Sequence, residues 1–160
     1  MKIISACLCG INCKYDGSNN LHPYFMELLA IGEVIPMCPE QLGGLPTPRS
    51  ACEIHGGTGI DLLAGRAIAF SRHGEDFSLA LVKGAQEILH IAAEIDIEGA
   101  ILQSRSPSCG CGLIYDGTFT HRLIAGDGVT AALLKQHGFQ VWNEQEYLRE
   151  KGVCTNIESS

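Results

Sequence analysis

The sequence predicts one α/β domain with a Rossmann-like, mainly parallel sheet and flanking helices. Short apolar runs of strand length alternate along the chain with longer segments of helical periodicity, which is the pattern of strands joined by crossover helices. The length of 160 residues suits one domain with its own core and is short for two. Apolar residues make up 46% and charged residues 18% of the chain, a composition typical of globular proteins.

In the first half of the chain, strand-like and helix-like runs are separated by loops rich in glycine, asparagine and proline. The predicted elements are a strand at 2–6, a loop at 7–20, a helix at 22–31, a strand at 33–37, a loop at 39–59 and an edge strand at 66–70. Gly32 marks the end of the helix, since glycine often follows the last helical turn. The 39–59 segment shows no periodicity, and long ordered loops of this kind are often functional.

The second half begins with the longest helical pattern of the chain. The predicted elements are a helix at 75–96, a strand at 99–103, a loop at 104–112, a hairpin turn at 115–118, a helix at 128–137, a strand at 139–142 and a helix at 144–150. Gly84 lies inside the first of these helices, where it costs about 1 kcal/mol relative to alanine, so we expect a kink or a close contact there. We expect the domain to span residues 1–150, followed by a polar tail at 151–160.

The composition argues against several classes of function. No apolar stretch approaches the roughly 20 residues of a membrane helix, and the first six residues are too short and too lightly charged for a signal peptide. We therefore expect a cytoplasmic protein with no membrane partner. The net charge is −7 and the 11 lysines and arginines are scattered. Extended nucleic-acid binding usually needs a basic surface, so the charge favours a small molecule as the partner.

Three of the eight cysteines lie just beyond predicted strands. Cys7 follows the first predicted strand, Cys38 follows the second, and Cys109 lies a short loop beyond the strand at 99–103. Parallel strands of one sheet end at a shared edge, where such folds bind their ligands. Three thiols that are distant in sequence would then meet around one point.

These three cysteines suit a metal or iron–sulfur site, because thiolates are preferred ligands of zinc and of iron–sulfur clusters. Zinc ribbons usually contain Cys-x-x-Cys pairs, which this chain lacks. A [4Fe–4S] cluster normally has four cysteine ligands. Held by three, it keeps one iron without a protein ligand, and that iron can act as a Lewis acid on a substrate. Spacing alone leaves open the alternative of three buried cysteines at strand ends.

Polar side chains accompany the three cysteines. Glu40 lies two residues after the second cysteine and could activate water as a general base; the alternative is a solvated carboxylate at the start of a loop. Ser104, Ser106 and Ser108 precede the third cysteine, and their hydroxyls could bind a polar substrate or transfer a proton. For at least one of them the alternative is a local turn hydrogen bond. Arg49 could hold a carbonyl or phosphate group, although an arginine that faces solvent is more frequent.

Five further cysteines lie outside this set. Cys9 and Cys111 lie in the loops of the first and third cysteines, and either could substitute as a ligand. Cys13 and Cys52 are weaker candidates. Cys154 lies in the predicted tail and is expected to be inert.

Five segments of the sequence resemble a bacterial family long labelled as a domain of unknown function, whose characterised members are thiouracil desulfidases. The segments are Ser5-Ala6-Cys7-Leu8-Cys9-Gly10, Pro36-Met37-Cys38-Pro39-Glu40, Gly43-Gly44-Leu45-Pro46-Thr47-Pro48-Arg49, Ser104-Arg105-Ser106-Pro107-Ser108-Cys109-Gly110 and Gly126-Asp127-Gly128-Val129-Thr130-Ala131-Ala132-Leu133-Leu134. The resemblance spans about residues 3–146, and the motifs together are specific to the family.

The resemblance implies a [4Fe–4S] cluster held by Cys7, Cys38 and Cys109, with one iron that carries no protein ligand. It further implies a non-redox desulfuration of a thiolated uracil, which is a free base, a nucleoside or a nucleotide. The sulfur of this small molecule would bind the free iron, water would attack the ring carbon, and hydrosulfide would leave.

The resemblance also implies catalytic roles for polar residues. Glu40 would be the base, and Ser104 or Ser106 would be the hydroxyl partner. Three cysteines depart from the family pattern and could form disulfides in oxidised protein that lacks the cluster: Cys9, Cys52 and Cys111.

Two other functions compete with a desulfidase. The first is a non-catalytic zinc or iron–sulfur protein with a sensing or structural role, which would not need an open coordination position beside Glu40. The second is a thiol-redox protein that uses a pair such as Cys7 and Cys9. The absence of a Cys-x-x-Cys motif counts against the redox protein.

Overall fold

The computed structural model describes residues 1–155, so residues 156–160 of the predicted tail lie outside the described residues. The strands are β1 (Lys2–Ser5), β2 (Val34–Met37), β3 (Cys52–His55), β4 (Ile68–Ser71), β5 (Gly99–Leu102), β6 (Leu113–Tyr115), β7 (Leu123–Ala125) and β8 (Gln140–Asn143). The helices are α1 (Pro23–Ala30), α2 (Pro39–Leu42), α3 (Gly59–Leu63), α4 (Ser78–Glu94), α5 (Val129–Gln136) and α6 (Glu144–Glu150), and a 3-10 turn spans Ala6–Cys9.

Four parallel strands form the central sheet, in the order β2-β1-β5-β8. The predicted α/β class and the parallel sheet are confirmed. Successive side chains of a strand point to opposite faces of a sheet. Ile3 and Ile4 of β1 are accordingly both fully buried, each in a different core.

Helices cover both faces of this sheet. On one face, α1 and α6 pack over Ile4 through Phe25 and Leu148, which are completely buried. On the other face, α4 and α5 pack over Ile3 through residues such as Ile88. Full burial of one such side chain stabilises the fold by about 1.5–3 kcal/mol. The two cores therefore fix the sheet, and with it the edge where the parallel strands end.

The predicted loop at 39–59 is wrong in part, because it contains α2 and β3. Helix α2 has only four residues, which is too short for a periodic pattern, and it is held by contact with α4. An added Cβ on Gly84 would lie 1.8 Å from the carbonyl oxygen of Pro39, and one on Gly43 would lie 1.9 Å from that of Ala80. The close contact expected at Gly84 is therefore confirmed, and it is a backbone contact between α2 and α4.

Two antiparallel ribbons lie outside the central sheet. Strand β3 pairs with β4, and β6 pairs with β7. The two-residue turn expected at 115–118 is instead a longer connection from Tyr115 to Leu123, within which the Asp116 carboxylate accepts a 3.0 Å hydrogen bond from the Thr118 N–H. Asp-Gly predicts a local turn, and the turn is present, but it does not close the hairpin by itself.

The described part of the predicted tail packs on the domain. Val153 lies against the core of α1 and α6, and the carbonyl oxygen of Cys154 lies 3.2 Å from Nε2 of His22. Across residues 1–155, none of the helices has the length and apolar character needed to cross a bilayer.

Candidate active site

The carboxyl end of the central sheet gathers the predicted site segments. Strand β1 runs into the 3-10 turn that carries Cys7, and β2 runs directly into Cys38, which precedes α2. Strand β5, the other neighbour of β1, leads into the loop that carries Cys109. Cys7 and Cys109 are 7% and 5% exposed, and Cys38 is half-buried. The three cysteines picked from strand ends thus lie at one edge of one sheet.

A fourth thiol, that of Cys13, lies among them. Cys13 is 2% exposed and belongs to the same buried cluster as Cys7, against which Cys38 packs. Its carbonyl oxygen lies 3.9 Å from Sγ of Cys38, which donates to it. Sequence reasoning ranked Cys13 as a weak candidate, because a loop has no periodicity that would show it folding back toward Cys7.

Burial and neighbouring thiols raise the pKa values of Cys13, Cys38 and Cys109. Contact with Cys13, together with burial, raises the pKa of Cys38 well above its usual range. Burial raises the pKa of Cys109 to about 12, and the neighbouring Cys38 adds to this shift. For Cys13, contact with Cys38 lowers the pKa, but contact with Cys7 and burial outweigh it and raise the pKa to about 11. Thiolates in this pocket therefore need a cationic group, which would displace the protons on binding.

The donor set fits an iron–sulfur cluster. Soft thiol ligands in a buried pocket suit iron–sulfur clusters and zinc. Within residues 1–155, no three side chains of Cys, His, Asp or Glu are arranged to hold a single metal ion. A four-iron cluster is larger than one ion and its cysteines bind different irons, so they do not have to converge on a single point.

Glu40 lies beside these thiols, where α2 places it as the second helical residue. One carboxylate oxygen pairs with the guanidinium of Arg49, whose side chain is only 4% exposed. The other oxygen accepts a 3.3 Å hydrogen bond from the hydroxyl of Ser108. Arg49 also donates a 2.9 Å hydrogen bond to the carbonyl oxygen of Cys13. The arginine that sequence reasoning expected to face solvent is therefore a buried partner of Glu40.

Ser106 and Ser108 form the turn that leads to Cys109. Their hydroxyl oxygens lie 3.1 Å apart, and Oγ of Ser106 accepts hydrogen bonds from the N–H groups of Ser108 and Cys109 at 3.2 and 3.1 Å. Oγ of Ser108 lies 3.8 Å from Sγ of Cys109 and also contacts Glu40. Ser108 is thus the serine beside the carboxylate, and the predicted candidate Ser106 lies directly behind it.

Ser104, the other predicted hydroxyl, is bound to a different carboxylate. Its hydroxyl donates a 2.7 Å hydrogen bond to Glu144, and its N–H donates a 2.8 Å hydrogen bond to the same side chain. The hydroxyl hydrogen of Ser104 is therefore engaged by Glu144.

The two alternative ligands, Cys9 and Cys111, donate their thiols to backbone carbonyls instead. Cys9 packs in the core of α1 and α6 and donates to the carbonyl of Phe25 at 3.8 Å. Cys111 packs in the opposite core and donates to the carbonyl of Val141 at 3.8 Å. Cys52 lies on β3, where burial, followed by the charge of Glu40, raises the pKa of its thiol.

A shallow cleft of about 290 Å³ opens beside Cys38. Its walls are mostly apolar and come from the 3-10 turn and the loop after it, and from β2, α2 and the residue between them. The lining residues are Ala6, Ile11, Pro36, Met37, Cys38, Gln41 and Leu42. Ligand sites are commonly apolar with a few polar groups that fix orientation, and this cleft places such walls next to a thiol of the site.

Comparison with known proteins agrees with this geometry. The sequence pattern of the family described as 2-thiouracil desulfurase matches residues 3–146. Uncharacterized protein YbbK of Bacillus subtilis (strain 168) is 46% identical over 146 residues, which are 91% of this chain and 97% of YbbK. The solved structure of the [4Fe-4S]-dependent thiouracil desulfidase TudS is 35% identical, with a TM-score of 0.80 over 95% of this chain and 98% of that chain. The chain belongs to the 2-thiouracil desulfurase family.

Proposed function

We propose that the protein is a thiouracil desulfidase, which hydrolyses the C=S bond of a thiolated uracil base, nucleoside or nucleotide. Water supplies the oxygen of the new C=O bond, and the sulfur leaves as hydrosulfide with no change of oxidation state. Family membership and the [4Fe-4S]-dependent neighbour TudS support this activity. The single observation that carries the proposal is the hydrogen-bonded pair of Glu40 and Ser108 next to buried thiols.

We assign the cluster to Cys7, Cys38 and Cys109. Each follows a strand of the central sheet, and the three come from separate segments, so the fold itself defines the pocket. A [4Fe–4S] cluster bound by three cysteines supplies one iron without a protein ligand, which is a Lewis acid for a thiocarbonyl sulfur.

Glu40 is assigned as the general base. Arg49 binds one oxygen of its carboxylate, which leaves the other oxygen, on the Ser108 side, to take a proton from water. The buried guanidinium also fixes the orientation of the carboxylate, because an arginine that donates to two fixed acceptors has little freedom. General bases in enzymes contribute about 10²–10⁴-fold to the rate.

Ser108, supported by Ser106, orients the water and the substrate oxygen atoms. A serine hydroxyl is both donor and acceptor, so Ser108 can accept from water while it donates to Glu40. Ser106 holds the turn through its contacts with backbone N–H groups. Ser104 fixes the start of the loop through its hydrogen bond to Glu144.

The extent of the domain, the location of the protein and the size of its substrate are inferred from the sequence and from the candidate site. We infer a desulfidase domain over residues 1–150 and a cytoplasmic enzyme that acts on small molecules. The net charge of −7 supports a small substrate over extended nucleic acid.

Single Cys7→Ser, Cys38→Ser and Cys109→Ser variants test the proposal. Each should lose the cluster, measured as iron and acid-labile sulfide after anaerobic reconstitution, and should no longer convert thiouracil to uracil and hydrosulfide. Cys9→Ser is the matched control, since Cys9 is as buried as Cys7 and Cys109 but donates to the Phe25 carbonyl in a core. It should keep both the cluster and the turnover.

Two results would contradict the proposal. A wild-type protein with a full cluster that leaves thiouracil unchanged would exclude the enzyme. A full cluster and full activity in any one of the three variants would remove that cysteine from the ligand set, and Cys13 would then be the first residue to test in its place.

A further inference from the structure

A buried carboxylate, that of Glu144, lies at the carboxyl end of the central sheet outside the groups assigned to the reaction. Glu144 is the first residue of α6 and is 3% exposed. Within residues 1–155, no lysine, arginine or histidine forms an ion pair with it. A buried charge without a countercharge is costly unless it is fully hydrogen-bonded, so the partners of Glu144 need an explanation.

The pairing of β5 with β8 brings Glu144 to the start of the Cys109 loop. Leu102 lies opposite Asn143 in the register, so the residues that follow them are neighbours. Glu144 accepts hydrogen bonds from the Ser104 N–H at 2.8 Å and the Ser104 hydroxyl at 2.7 Å. It also accepts one from the side-chain amide of Gln103 at 3.3 Å.

The same carboxylate determines which face of the Gln103 amide meets Cys7. With its nitrogen on Glu144, Gln103 turns Oε1 to the other side, where it lies 2.8 Å from Nδ2 of Asn20 and 3.9 Å from Sγ of Cys7. Lys14 donates to Oδ1 of Asn20 at 3.2 Å. A carboxylate only accepts hydrogen bonds and an ammonium group only donates them. The Glu144 carboxylate and the Lys14 ammonium group, at the two ends of this hydrogen-bond network, therefore fix the orientation of the Gln103 and Asn20 amides.

We propose that Glu144 is a positioning residue of the desulfidase site, which holds the segments of Cys7 and Cys109 at the spacing that retains the cluster. Gln103 accepts from the side chain of Asn20, whose N–H donates to the carbonyl oxygen of Cys7 at 2.9 Å. Ser104 begins the loop that carries Cys109, so one side chain secures both segments. This inference rests on the proposed function, because it takes both cysteines as cluster ligands. Residues behind the metal ligands commonly affect metal retention about 10–100-fold.

The rate of iron release from the reconstituted protein to a ferrous chelator tests this role in Glu144→Gln. Glutamine keeps the size of the side chain but replaces one acceptor oxygen with an NH₂ donor, which must face donors on Ser104 or Gln103. Iron release should be about tenfold faster and kcat should fall. Glu146→Gln is the matched control, since Glu146 lies on the same helix and accepts from the Asn143 N–H at 3.2 Å. Its iron release should match wild type.

Thermal midpoints separate positioning from simple stabilisation. If both variants lower the midpoint while Glu144→Gln keeps the wild-type iron release and kcat, Glu144 is only structural and the proposal is wrong. Should Glu144→Gln fail to fold, Gln103→Ala breaks the same link, and an unchanged release rate there also contradicts the proposal. The rate of iron release does not depend on substrate turnover. A cluster-loaded wild-type protein that does not convert thiouracil would therefore refute the proposed function, and the iron release rates of the variants could still be compared.

Discussion

At the residue scale, the orientation of the Glu40 carboxylate is set by two partners that use different oxygens. The guanidinium of Arg49 takes one oxygen, and the hydroxyl of Ser108 takes the other. The contact with Arg49 joins opposite charges, whereas the Ser108 hydroxyl is neutral and lies 3.3 Å from its oxygen, so Arg49 contributes more to the position of the carboxylate. The oxygen next to Ser108 is then the one available for proton transfer beside the thiols.

Glu40→Gln tests the general base. The amide keeps an oxygen that can accept from Arg49 but cannot take a proton, so kcat should fall by about 100-fold or more. Iron and sulfide content should stay at the wild-type level, since Glu40 is not a ligand in this assignment. Wild-type turnover in this variant would mean that another group is the base.

The sequence predicts the location of some residues of the candidate site but not of others. Cys7 and Cys38 are visible from sequence because they directly follow apolar strands whose ends must share an edge. Arg49, Cys13 and Ser108 lie at the candidate site through contacts between segments that are distant along the chain. No local pattern encodes such contacts. For Arg49 the commoner expectation of a solvent-facing side chain is wrong, since its side chain is 4% exposed.

At the element scale, the contact between α2 and α4 places Glu40. Gly84 on α4 and Gly43 at the end of α2 let the two backbones approach so closely that a Cβ at either position would overlap a carbonyl oxygen. Pro39, whose oxygen faces Gly84, directly precedes Glu40. The position of the proposed base therefore depends on the absence of a side chain on a different helix.

Gly84→Ala tests this contact, because the sign of the change in unfolding free energy depends on whether the two backbones touch. In an exposed helix position the change would stabilise the protein by about 1 kcal/mol. Here we expect a loss of about 1–3 kcal/mol from overpacking, measured by urea unfolding, together with a lower kcat because α2 shifts. Lys83→Ala, at the adjacent exposed position of α4, is the control and should leave both unchanged. A stabilised and fully active Gly84→Ala protein would show that α2 does not depend on this contact.

The elements that have an apolar pattern of their own were predictable from sequence, and those that lack one were not. Helix α4 and the four strands of the central sheet follow from apolar spacing. Helix α2 and strand β3 did not, because α2 has four residues and β3 exists only through its pairing with β4. Such elements are stabilised by tertiary contacts instead of local propensity.

At the scale of the whole molecule, the parallel sheet brings cysteines that are distant in sequence to one edge. The order β2-β1-β5-β8 puts Cys38, Cys7 and the Cys109 loop beyond three adjacent strands, and Glu144 beyond the fourth. The sequence predicts parallel strands but not their order, since strand order depends on which helices cross which face. The shared edge could therefore be expected from sequence, whereas the neighbours along it could not.

The iron, zinc and acid-labile sulfide content of protein purified without oxygen tests the cluster assignment most directly. We predict about four iron and four sulfide per chain, with thiouracil turnover by the same sample. About one zinc per chain without sulfide, or no metal even after anaerobic reconstitution, would contradict the assignment of Cys7, Cys38 and Cys109 to an iron–sulfur cluster.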